Sequence, residues 1–341
     1  WHDDLTSNSS RLYPYGNQRV AKFVDFVNGR ALPYDDNGHG SHVAGIIGGN
    51  GYDSRGEKAG IAPDVTLISL KVLDANGAGT IGNIIAALNW VAANARTYNI
   101  KVVNMSVGAA IHESYWTDPL TLAAKAVTDR GITVVAAAGN LGKNAAGEKQ
   151  YGGITAPGNA PWVLTVGASS TMGTLTRNDD TLGSYSSRGP TYKDFLAKPD
   201  LVAPGTGTIS LSVPGSTFYA TKAPYLVNGQ RGGKVYLSLT GTSMAAPVVA
   251  GTAALMLQAN PSLTPNLIKA LLQYTAQVYP GYKPLEQGAG FLNTLGAVRL
   301  AKFYANHRVG ERMPVQSVWS RHIIWGNHML HGGYINPRGN A

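Results

Sequence analysis

The sequence predicts an α/β fold of three layers, with a mostly parallel central sheet flanked by helices. Three observations predict it. Short apolar runs rich in Val, Ile and Leu recur, at RVAKFVDFV, VTLISLKVL, IKVVNMSV, ITVVAAAG and WVLTVGAS. Runs that are polar on neither side suit strands buried on both faces. Helical patterns lie between several of them, at Ile81 to Ala95 and Leu120 to Thr128, and strands alternating with helices make parallel βαβ units. Glycine is plentiful, at 42 of 341 residues, which suits tight turns and close backbone approaches.

Further along, SMAAPVVAGTAALMLQAN reads as a long apolar helix. It contains Pro247, which the first turn tolerates if the helix begins near Ser243. LTPNLIKALLQYTAQ follows, with Thr264 as N-cap and Pro265 at the first helical position. Near residue 308 the style changes to HRVGERMPVQSVWSRHIIWGNHML, with two Trp, three His and little regular period. The expected organisation is a main domain over 1–308 and a C-terminal extension over 309–341.

Composition narrows the function classes. With no Cys, disulfides, thiolate metal sites and a Cys nucleophile are excluded. Net charge is 28 − 19 = +9, but Lys and Arg are scattered, and nucleic-acid binding needs them clustered on one face. No nucleic-acid partner is expected. No run of 18 consecutive apolar residues marks a membrane span. The low charged fraction, 14%, suggests a secreted protein. With Trp1 first and no signal-peptide pattern, the chain reads as a processed or excised piece.

Gly77 to Gly82, GAGTIG, matches the G-x-G-x-x-G of dinucleotide sites. Such a site also needs an acid about 20 residues on. The next acid is Glu113, so a nucleotide-binding oxidoreductase is the weak reading.

Three other segments carry chemistry. NGHGSHVAG holds His39 and His42, AAAGN ends at Asn140, and GTSMAAP places Ser243 at a strand-to-helix junction. A Ser hydroxyl becomes nucleophilic when a base stands within hydrogen-bond reach and a third group orients that base. The oxyanion that forms needs donors aimed at it. A helix start supplies free backbone N–H groups and a favourable dipole, and an amide such as Asn140 supplies a second donor.

In this order, the segments resemble the subtilisin-like serine proteases, the subtilases. The family's His motif, H-G-T-H-V-A-G, reads here His39-Gly-Ser-His-Val-Ala-Gly45, and its Ser motif, G-T-S-M-A-x-P, stands as Gly241 to Pro247. The likeness continues through VVNMSVG, APGNAPWVLTVGA, SYSSRGP, KPDLVAPG and GAGFLNTLGAV, over roughly 1–305. It implies a secreted endopeptidase that cleaves protein or peptide substrates through a Ser-His-Asp triad and an acyl-enzyme. His39 would be the base and acid, Ser243 the nucleophile, and Asn140 with the Ser243 N–H the oxyanion hole. His42 would be structural. Ser106, Val107 and Gly108 would pair with substrate as an added strand. Gly77, Ala78 and Gly79 would form the other side of the groove, a better use for the GAGTIG glycines.

Thr155, Ala156 and Pro157 resemble the segment lining the pocket for the residue before the scissile bond. The family implies no required cofactor, calcium as a possible structural stabiliser (with Asp53 and Glu57, or Asp179 and Asp180, as candidate ligands) and a propeptide in the precursor. His322, His328 and His331 suit no familiar metal spacing. The segment between APG and GTS, with STFYATKAPYLVNGQRGGK, is longer than the shortest family members carry and reads as an inserted surface loop.

One departure stands out. The family's orienting Asp lies in D-T-G or D-S-G after an apolar strand, and no Asp here is followed by Ser or Thr and then Gly. HDDL at residues 2–5 resembles the loop that follows that motif. The catalytic Asp and its strand are therefore expected upstream of Trp1, with Asp3, Asp4 or Asp25 as alternatives. Without that strand, residues 1–341 alone are expected to fold poorly and to cleave weakly. A non-catalytic, peptide-binding pseudoprotease is the alternative. No charged residue lines Thr155 to Pro157, so a peptide library should be cut mainly after uncharged apolar or aromatic residues. Cleavage mainly after Lys, Arg or Glu would contradict this.

Overall fold

The computed structural model describes residues 2–7, 19–308 and 310–331. Trp1 and the ends of the expected extension, Val309 and 332–341, lie outside the described residues. The elements run β1 (Val20–Asp25), α1 (His39–Gly48), β2 (Leu67–Lys71), α2 (Ile81–Asn94), β3 (Val102–Met105), α3 (Pro119–Thr128) and β4 (Thr133–Ala137). Then come β5 (Leu164–Ser170), β6 (Thr181–Leu182), β7 (Leu201–Pro204), β8 (Thr208–Leu211), α4 (Thr217–Thr221), β9 (Leu226–Val227) and β10 (Tyr236–Leu239). The chain continues with α5 (Thr242–Ala259), α6 (Pro265–Thr275), α7 (Pro284–Gln287), α8 (Thr294–Asn306), β11 (His322–Trp325) and β12 (His328–His331).

These elements form two compact units. One contains the chain up to Val91 together with Gly207–Thr240; the other contains Ala92–Thr206 and the chain from Gly241 onward. In the first unit, β1 and β2 pair in parallel. A second sheet, β8-β10-β9, is antiparallel. In the second unit, β3, β4, β5 and β7 pair in parallel, and β6 adds antiparallel to β5. The expected parallel pairing is therefore present but divided between two sheets. Among the described residues β2 pairs only with β1, and β3 only with β4.

α5 is the core of the second unit. It packs on β3, β4, β5, β7 and α8, and most of its residues are buried, from Met244 through Ala253 and again at Met256. By length and composition α5 is apolar enough to cross a membrane, with mean hydropathy 1.3 over 18 residues, but 67% of it is buried inside the protein. Its apolarity is spent on the core.

α6 starts as its sequence implies: the Thr264 side chain accepts from Leu267 N and Pro265 takes the first position. The described part of the expected extension packs on α6. Ser320 N and Arg321 N donate to the Ala276 and Tyr274 carbonyls, and Ile324 N donates to Gln273 Oε1. Trp319 is buried there.

Beneath β5 and β7 lies a fully buried trio of charges. Asp200 accepts from Lys198 Nζ at 2.8 Å and from Lys269 Nζ at 3.0 Å. Two ammonium groups share one carboxylate, so one charge is uncompensated. Burial outweighs the attraction of Asp200, and Lys269 adds repulsion, so the Lys198 pKa falls to about 7. The folded chain thus binds fewer protons than the unfolded one above that pH. Stability should rise as pH increases from about 7 toward 10. In Lys198→Met, denaturant midpoints over this range should rise less steeply; parallel curves for the two proteins would contradict the assignment.

Candidate active site

Ser243 lies at the start of α5 and is the one residue between Gly241 and Ala253 that is not buried. α5 begins at Thr242, so Pro247 falls in its second turn rather than the first. Proline has no N–H to donate to the carbonyl four residues back, and that carbonyl belongs to Ser243. Ser106, just past β3, fills the vacancy: its Oγ donates to Ser243 O at 2.7 Å. In return, Ser243 Oγ donates to Ser106 O at 3.2 Å. Asn104 Nδ2 donates to Ser106 Oγ at 3.0 Å and fixes the direction of the exchange.

Asn140 follows the strand β4. Its Oδ1 accepts from Thr242 N at 2.9 Å and from Thr242 Oγ1 at 3.1 Å. Gly139 N donates to that same hydroxyl at 3.2 Å. Because the oxygen end of the amide is claimed by the helix start, its Nδ2 end is the one that can donate outward. Asn140 is exposed. The α5 terminus thus carries an exposed amide donor beside a partly exposed hydroxyl.

Ser106, Val107 and Gly108 continue from β3, and Ala109 exchanges backbone hydrogen bonds with Ala156 at 2.9 Å in each direction. Gly108 must be glycine, since a Cβ would come within 2.5 Å of Thr155 Oγ1. Of the three expected pocket residues, only Thr155 offers surface. Ala156 and Pro157 are buried and spent on the core.

The first unit holds His39 and the Gly77–Gly79 loop. His39 opens α1 and is partly buried. Burial lowers its pKa, and the charge of Asp35 opposes that. The ring therefore favours the neutral form that a base requires. His42, three residues on, is fully buried and shares a hydrogen bond of 2.9 Å with Leu237 O. Burial pushes its pKa down to about 4, as suits a structural residue. Residues 76–80 are exposed, and Asp74 Oδ1 holds their turn by accepting from Asn76 N and Ala78 N.

The side chains of Asp25, Asp35, Asp36 and Asp4 each have another task. Asp25 accepts from Val27 N, Asn28 N, Arg30 N and Tyr34 Oη. Burial would raise its pKa, but these bonds prevail and bring it to about 2. Asp35 caps α1 by accepting from Asn37 N, Gly38 N and Ser41 N. Asp36 pairs with Lys71 at 2.5 Å. Asp4 is fully buried and accepts from Asp53 N and Tyr236 Oη. Among the described residues, no carboxylate hydrogen-bonds to the His39 ring.

The profile of the subtilase family matches residues 2–298. The chain belongs to that family. It is 39% identical over 298 residues to the serine protease AprX of Bacillus subtilis, covering 84% of this chain and 64% of AprX. It is 35% identical to Subtilisin Savinase of Lederbergia lenta, covering 81% and 83%. Among solved structures it is similar to a cold-adapted subtilisin-like serine proteinase, with TM-score 0.57, 31% identity and coverage of 85% and 84%. It is also similar to Sphericase, with TM-score 0.62, 27% identity and coverage of 79% and 83%. The architecture is therefore subtilisin-like, and the dinucleotide reading of GAGTIG is set aside. The chain spans less than two thirds of several curated relatives, including 57% of a thermostable alkaline protease from Halalkalibacterium halodurans.

A further cluster joins His2, Asp4 and Asp53, whose ligand atoms lie within 4.8 Å of one another. Burial and the neighbouring Asp3 and Asp4 raise the Asp53 pKa to about 6, against the opposing charge of Arg231. Since this folded pKa exceeds the unfolded value, the folded chain binds the extra proton between about pH 4 and 6 and loses stability as pH rises through that window. Asp53→Asn should abolish that fall in a pH series of melting temperatures. A fall of unchanged size in the variant would contradict the assignment.

Proposed function

We propose that this chain is the catalytic part of a secreted serine endopeptidase that cleaves extended peptides by acyl transfer. The observation that carries the reading is the α5 terminus, where Ser243 and the Asn140 amide are held side by side. Ser243 Oγ attacks the scissile carbonyl as His39 takes its proton. The oxyanion accepts from Asn140 Nδ2 and the Ser243 N–H. His39 then gives the proton to the departing amine, and water repeats the sequence to release the acid. Residues Ser106–Gly108 pair with substrate backbone as an added strand, and the exposed Gly77–Gly79 backbone is a second segment that contacts substrate. Thr155 borders the pocket for the residue before the cut.

The orienting carboxylate comes from a strand outside residues 1–341. Two observations support this reading: the carboxylates of Asp4, Asp25, Asp35 and Asp36 are committed elsewhere, and among the described residues β2 and β3 each pair on one edge only. A relative from a Thermus strain is named an extracellular serine proteinase, which agrees with secretion, and a propeptide in the precursor goes with that reading. Calcium would serve this reading only as a structural stabiliser, with Asp53 and Glu57, or Asp179 and Asp180, as the residues that would hold it.

In the full-length protein Asn140→Ala should lower kcat about 10²- to 10³-fold and leave KM nearly unchanged. Ser243→Ala should abolish peptide hydrolysis. Hydrolysis that survives Ser243→Ala, or a kcat indifferent to Asn140, would refute the reading.

A further inference from the structure

The segment between β8 and β10, an inserted loop of unassigned role by its sequence, touches the proposed base. We propose that Phe218 on this segment is a positioning residue for His39, holding the imidazole ring in its working orientation. The inference rests on the reading of His39 as the base.

Phe218 meets His39 edge to face, with ring centroids 6.2 Å apart and planes at 83°. This is a favoured geometry for an aromatic pair. Such a contact stiffens a side chain only if the partner ring is itself held. Here it is held by backbone. Thr217 N and Phe218 N donate to Asp36 O and Asn37 O, each at 2.9 Å. Thr217 Oγ1 donates to Ala75 O at 2.7 Å, and Asn37 Nδ2 donates to that same carbonyl at 3.0 Å. Asn37 Oδ1 in turn accepts from His39 N at 3.2 Å. Three stretches, 35–38, Ala75 and 216–218, are thus laced together immediately before the base.

Gly38 shows how close the fit is. Its φ is +99°, and a Cβ there would lie 2.7 Å from Ser216 Oγ and 3.3 Å from Phe218 Cβ. α4 itself buries none of its residues, so it contributes nothing to a core. A short, partly exposed helix bound by several hydrogen bonds to the loop that ends in His39 is explained by what it holds.

The groups around His39 are few. Asp35 lies on its own loop with its oxygens occupied by N–H donors. Asp36 is paired with Lys71, and His42 lies one turn on in α1. Just past α4, Lys222 Nζ sits 5.0 Å from the Phe218 ring centroid. Phe218 packs its ring against the imidazole, so its loss should both free the ring and let water reach it.

The test compares Phe218→Ala and Phe218→Tyr with wild type in the full-length protein. The readouts are kcat, KM, the pH profile of kcat/KM and the melting temperature. Phe218→Ala should lower kcat about ten- to a hundredfold, the scale at which misplaced catalytic groups act, with KM within about twofold. Its acidic limb should move to higher pH, because desolvation that lowers the His39 pKa is relieved. Phe218→Tyr keeps the ring and should restore both. A Phe218→Ala variant with wild-type kcat and an unmoved limb would overturn the proposal. So would a loss that follows the melting temperature and is not rescued by Tyr. A wild type that cleaves no peptide would sink the peptidase reading and this inference together; an active wild type matched by Phe218→Ala would sink this inference alone.

Discussion

The α5 terminus is held by a hydroxyl that replaces a bond proline cannot make. Pro247 leaves the Ser243 carbonyl without its helical partner, and Ser106 Oγ takes that place at 2.7 Å. The exchange ties the strand that would receive substrate to the residue that would attack it. A fully buried carbonyl left without a donor would cost about 1–3 kcal/mol, and this part-buried one somewhat less, so the Ser106 bond favours keeping the two residues in their mutual position. Asn140 depends on the same helix start, because Thr242 N–H claims its oxygen and turns its nitrogen outward. Preorganised donors of this kind need not be reoriented as charge develops.

His39 is held differently. No carboxylate among the described residues orients its ring, and burial shifts it toward the neutral form. A neutral imidazole is what a base needs, but a base also needs a defined orientation. Within its own unit the structure supplies a packed aromatic ring. A triad carboxylate would fix the tautomer and stabilise the imidazolium, which an aromatic contact cannot do. The two devices are complementary: one restricts where the ring lies, the other decides which nitrogen carries the proton.

Much of this was legible in the sequence. His39, Ser243 and Asn140 stand in motifs whose residue order is specific, and the strand runs at 102–105, 133–137 and 164–170 follow from continuous apolar segments. The helix start at Thr264 followed from its cap. Other parts were less legible for physical reasons. α5 begins one residue earlier than Ser243, which puts Pro247 in the second turn and creates the need that Ser106 meets; the proline rule alone points to that carbonyl, but not to its donor. The apolar length of α5 resembles a membrane span until its burial is known. Thr155 to Pro157 read alike in sequence, yet only Thr155 offers surface. The role of Phe218 was out of reach, because an exposed-looking loop 179 residues from His39 (218 − 39) gives no local signal of a long-range ring contact. The division of parallel strands into two sheets was also hidden, since pairing depends on which edges meet.

Ser243 is proposed as an activated nucleophile dependent on His39. A fluorophosphonate carries an electrophilic phosphorus that only an activated hydroxyl attacks, so it tests the claim without any substrate preference. Incubating the full-length protein with such a probe and locating the adduct by peptide mass spectrometry gives the most direct answer. One adduct is expected, on Ser243, formed faster as pH rises through the titration of His39 and lost in His39→Ala. An unlabelled Ser243, or labelling indifferent to His39, would contradict it.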